Sequence, residues 1–156
     1  MRFPSLAFAF VLSISAAAAQ DMAPRTGWAV IPTDKPHEVL LADLKTAVAA
    51  NKMGVVTQAG PTSTARNRGI EIPENRVVGV FNNDFAVKVL ATSTAAMIEA
   101  PIRFYVTENQ DQTATLSYKT PSHVFAPYFQ EGGDALKDLA GQLDDVFARI
   151  AAQATD

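Results

Sequence analysis

The period of apolar positions changes several times along the chain, and each change predicts an element. Gly27-Trp28-Ala29-Val30-Ile31 is a short apolar run that predicts a first strand, ended by Pro32. Leu40, Leu44, Ala47 and Val48 then recur at helical spacing and predict a helix over Pro36–Lys52. Asp34 is expected to cap its start and Gly54 to close it in the left-handed conformation. Val55–Gln58 predicts a second strand, and Thr64–Arg68 a short helix closed by Gly69. Arg76–Phe81 is a continuous apolar run, which predicts a central strand covered on both faces.

Asn82-Asn83-Asp84 punctuates the chain there. Asp84 is expected to cap a helix starting at Phe85 that turns Phe85, Val89 and Leu90 inward. Ile102–Glu108 and Thr113–Lys119 predict a hairpin, with Ala114, Leu116 and Tyr118 alternating against Thr115, Ser117 and Lys119. Pro121–Phe129 reads as irregular or as a single helical turn. Gly132-Gly133 breaks the chain before a last helix to about Ala152, capped by Asp134, with Leu136, Leu139, Leu143, Val146, Phe147 and Ile150 on one stripe. That stripe is expected on its own sheet, although its spacing would also suit a partner helix. The element order favours one small α+β domain over a doubly wound parallel sheet.

The start of the chain has a different pattern. Met1-Arg2 is a short basic head, Phe3–Ile14 an apolar run, and Ala17 and Ala19 fit the small-residue rule for signal peptidase. Residues 1–19 are therefore expected to be a signal peptide, cleaved before Gln20, with residues 20–156 as the domain. The apolar run is short of the ~20 residues that span a bilayer, which favours cleavage over a permanent anchor, and nothing later in the chain approaches that length, so no stable membrane insertion is expected after cleavage. The expected location is the periplasm.

Lys and Arg number 13 against 16 Asp and Glu, without clusters, and this balance argues against nucleic acid as a partner. The chain has no cysteine, which excludes disulfides, thiol nucleophiles, iron–sulfur clusters and thiolate zinc sites.

From Leu44 to about Phe129 the chain carries an ordered set of motifs. It comprises Met53-Gly54-Val55-Val56, the segment Thr64–Pro73 closing on Gly-Ile-Glu-Ile-Pro, the strand and asparagine turn Val77–Asn83, Ala-Ala-Met-Ile-Glu-Ala-Pro ending at Pro101, Ile102–Val106, and Leu116-Ser117-Tyr118. In these the chain resembles the DUF302 family. It departs at Phe81-Asn82-Asn83, where the family usually has Gly-Asn-Pro, and at Ala100-Pro101, where it usually has Leu-Pro. The resemblance implies a curved, mostly antiparallel sheet covered by helices, and self-association, here as a homodimer. It implies no established activity.

Candidate chemistry is sparse. There is no Gly-x-Ser-x-Gly, and Ser122 and His123, adjacent on an extended chain, point apart. His37 and His123 are the only histidines and lack metal-ligand spacing. His37 is expected to be a solvated surface residue. His123 is the one position where a metal or haem ligand is conceivable, with Met53 or Met97 as a soft second ligand. Gly132-Gly133-Asp134 has the position of a phosphate cradle, but its acid would repel an anion.

The remaining candidate is a strand-end cluster. Asn82 and Asn83 leave the apolar strand, Arg103 and Tyr105 share one face of the next strand by period two, and Tyr118 and His123 lie nearby. Arg103 would suit a carboxylate or another small anion, unless it pairs with Glu99, Glu108 or Asp84 on a solvated face. The sequence favours a non-enzymatic module for a small ligand or a periplasmic partner protein, without a cofactor. The alternative is a metal- or haem-handling protein, or an enzyme, using His123 and a carboxylate.

Overall fold

The computed structural model describes residues 21–156. The expected signal peptide lies outside the described residues. The chain builds five strands, β1 (Trp28–Pro36), β2 (Gly54–Ala59), β3 (Asn75–Phe81), β4 (Ile102–Glu108) and β5 (Thr113–Lys119). Its helices are α1 (His37–Ala50), α2 (Thr62–Asn67), α3 (Asn83–Thr92), α4 (Pro121–Phe125) and α5 (Phe129–Thr155), with 3₁₀ turns at Ala95–Glu99 and Ala126–Tyr128. The strands form one antiparallel sheet in the order β1-β5-β4-β3-β2. The fold is α+β, as the element order implied. Among the described residues no helix is long and apolar enough to cross a membrane.

One face of the sheet carries Val78 and Val80 of β3, Ile102, Phe104 and Val106 of β4, and Ala114, Leu116 and Tyr118 of β5, all buried. Helices α1 and α5 pack on each other above it, with α3 and α4 against α5. The whole expected stripe of α5 is buried, together with Ala140, Ala151 and Ala154. Gly133, at φ 61° and ψ −157°, separates the first turn of α5 from its long remainder, a conformation that favours glycine.

Several expectations are corrected. β1 does not stop at Pro32 but runs to Pro36, with an irregularity in its pairing to β5 between the two prolines. An edge strand tolerates proline because one of its sides has no ladder bonds to make. Asp34 consequently lies inside the strand and caps nothing; Pro36 stands at the N-cap of α1 without a side-chain bond. Lys52, at φ 59°, takes the left-handed position after α1, and Gly54 already pairs with Phe81.

β3 is an inner strand but not the middle one, and helices cover only one of its faces. Its Val77 is only half-buried on the other. Asn82, rather than Asp84, caps α3, accepting from the backbone N–H groups of Asp84 at 2.9 Å and Phe85 at 3.1 Å. Leu90 is 47% exposed, since Phe85 and Val89 define the inward face and the next residue turns away from it. Thr115 and Ser117 are buried although they lie on the polar side of the alternation. They are short side chains enclosed by β1 and β4 on either side. His37 is also buried, at 7% exposure, where a surface position was expected.

Candidate functional site

A pocket of about 560 Å³ opens beside β4, β5 and α4. Arg103 and Tyr105 enter it together, two residues apart on β4, on the face opposite Phe104. Tyr118 sits across the ladder from Phe104 and lines the pocket while its ring packs in the core. Burial raises its phenol pKa, and the charge of Asp144 adds to the shift.

His123 is brought in by α4. Thr120 caps that helix by accepting from the His123 N–H at 3.4 Å, and Pro121 occupies its first turn. The His123 ring lies against Gly27, whose φ of 76° leads the chain into β1, and a Cβ at that position would collide with the imidazole. Four of the six residues expected at the site, Arg103, Tyr105, Tyr118 and His123, therefore line one pocket.

The two asparagines do not join them. Asn82 caps α3 and also donates from Nδ2 to the Lys52 carbonyl at 2.8 Å. It borders a separate apolar crevice of about 30 Å³ with Phe85 and Met97. Asn83 is exposed in the first turn of α3. Lining the pocket does not require either.

The pocket also holds residues that sequence reasoning missed. Trp28 opens β1 and faces Lys119 in the register of β1 on β5. The Lys119 ammonium lies 5.7 Å from the Trp28 ring centroid and the Arg25 guanidinium 5.3 Å from it. Glu99 is the only carboxylate in the lining. It accepts from the Tyr128 hydroxyl at 2.8 Å, a bond that raises the Tyr128 pKa.

No ion pair or hydrogen bond engages the Arg103 guanidinium among the described residues. Its three expected partners are placed otherwise. Glu99 is bonded to Tyr128, Glu108 accepts from the Glu74 N–H at 2.8 Å, and Asp84 lies in the first turn of α3. Among the described residues no group of three His, Asp or Glu side chains is placed to hold a metal ion.

A second polar cluster lies at the N-terminal end of α1, where His37 meets Glu74 just before β3, Arg76 of β3 and Glu108 of β4. Burial lowers the His37 pKa, and the two carboxylates partly oppose that shift.

The fold and the pocket define a small α+β domain with one helix-covered sheet face and an aromatic, cation-lined recess at its edge. The family model described as "Domain of unknown function DUF302" matches residues 30–154, and the chain belongs to this family. A solved structure, "Crystal structure of uncharacterized conserved protein DUF302 from Bacillus stearothermophilus", is similar with a TM-score of 0.72 at 15% identity, over 83% of this chain and 99% of that one. At that identity the likeness concerns the fold. No curated protein matches the chain.

Proposed function

We propose that this DUF302 domain is exported to the periplasm and works there as a non-enzymatic binding module for a small organic carboxylate. The observation that carries the reading is Arg103: a guanidinium without an acidic partner, standing in a pocket whose lone carboxylate is already bonded to Tyr128. Lys119 and His123 stand in the same lining. A carboxylate accepts two parallel N–H bonds from a guanidinium fork, an arrangement stronger than neutral hydrogen bonds. Pockets of ~300–1,000 Å³ with a few convergent polar groups are the usual form of small-ligand sites. Export is supported by the pattern of Met1–Ala19.

The test is native mass spectrometry of protein purified from the periplasm. The expected result is an intact chain beginning at Gln20 with a co-purified small acid, and at least tenfold weaker binding of that acid by Arg103→Ala. Unchanged affinity in that variant would exclude the pocket as the binding site.

A further inference from the structure

Resting on that reading, we infer that the pocket selects aromatic carboxylates over aliphatic ones. The volume decides first. A carboxylate group needs only the corner beside Arg103, whereas about 560 Å³ accommodates a ligand body of many more atoms. The lining decides second. Trp28 and Tyr105 present two aromatic side chains on the face of Arg103, and Val77 adds apolar surface next to them, while Tyr118 backs the wall from the core. Aromatic rings pair in offset or edge-to-face arrangements that exceed plain area burial, an advantage that an alkyl chain does not share.

Rigidity decides third. Tyr118, behind the wall, is held by ring contacts to Phe104 and Phe147, with centroids at 5.0 and 5.6 Å, and Trp28 is fixed at its backbone by pairing with Lys119. A rigid wall and a rigid ring lose little conformational freedom on meeting, while a flexible aliphatic acid must be frozen to fill the same space. Among the described residues the hydroxyl of Tyr105 has no hydrogen-bond partner, so it is free to bond a hydroxyl or carbonyl on the ligand ring.

Trp28 is the sole tryptophan of the chain and lies in the pocket lining, so its fluorescence reports this site alone. Purified protein is titrated with benzoate, 4-hydroxybenzoate and indole-3-acetate, and in parallel with acetate, hexanoate and succinate. Each titration is repeated by calorimetry, which does not depend on the fluorophore. The expected result is at least tenfold tighter binding of the aromatic set, accompanied by a change in Trp28 emission. Equal or tighter binding of the aliphatic acids overturns the aromatic selection and leaves the carboxylate reading standing. Absence of binding by either set overturns both. Aromatic binding that leaves Trp28 emission unchanged and survives Arg103→Ala places the ligand elsewhere and overturns the inference as well.

Discussion

Tyr118 lies directly across the β4–β5 ladder from Phe104, their ring centroids 5.0 Å apart and their planes inclined at 59°. Phe147 of α5 stacks on Phe104 at 4.7 Å, so a single aromatic trio joins the sheet to the longest helix and backs the wall of the pocket. Phe104→Ala would leave a cavity in fully buried surroundings, and a loss of about 3–5 kcal/mol is expected. Urea unfolding of the variant checks this; a loss below about 1 kcal/mol would show that the trio does not hold the core.

Gly27 and His123 make a second testable contact. A side chain at residue 27 meets both a collision with the imidazole and a left-handed backbone at φ 76°. Gly27→Ala is expected to destabilise by about 1–3 kcal/mol. Adding His123→Ala removes the collision but not the backbone strain, so the double variant should recover part of the loss. Strict additivity in that cycle would mean that the ring moves aside without consequence.

The buried His37 makes stability depend on pH. Its folded-state pKa lies below the ordinary value of 6.5 because burial disfavours the charged ring, with Arg76 acting in the same sense and Glu74 and Glu108 against it. The unfolded chain therefore binds the proton more readily than the folded one just below pH 6.5. Stability is fully present above that pH and falls as pH drops through the window down to the folded pKa. Denaturation midpoints across this range should decline in the parent chain and decline less in His37→Gln. Parallel profiles for the two would assign the dependence to other groups.

Asn82 separates structure from binding. Asn82→Ala removes the side-chain acceptor that caps α3 and the bond to the Lys52 carbonyl, and a loss of about 1 kcal/mol is expected. Because Asn82 lies outside the pocket, carboxylate affinity should not change. Arg103→Ala is expected to do the reverse, since this exposed residue is outside the core: affinity falls and stability stays within about 0.5 kcal/mol. A weaker ligand affinity in Asn82→Ala at full stability would extend the site to the strand end.

The local periods along the chain were a sound guide to the elements. The β4–β5 hairpin, the stripe of α5 and the shared face of Arg103 and Tyr105 follow from spacings of two or of three and four, and the break at Gly133 from the glycine itself, all of which depend only on near neighbours. The misreadings have a common source. Pro32 reads as a strand end until β1 is known to be an edge, and Val77 reads as covered until the helices are known to occupy one face. His37 reads as solvated until the ends of β3 and β4 close over it.

The amphipathic periods thus sufficed for the α+β class, the principal helices and strands, and a cation beside a tyrosine on β4. Pairing between distant strands decided the rest. It set Trp28 opposite Lys119, α4 packing carried His123 onto Gly27, and the Asn82 amide was drawn to the Lys52 carbonyl, away from the pocket. Those outcomes rest on register and layer packing between residues far apart in the chain, which no local alternation of apolar and polar side chains encodes.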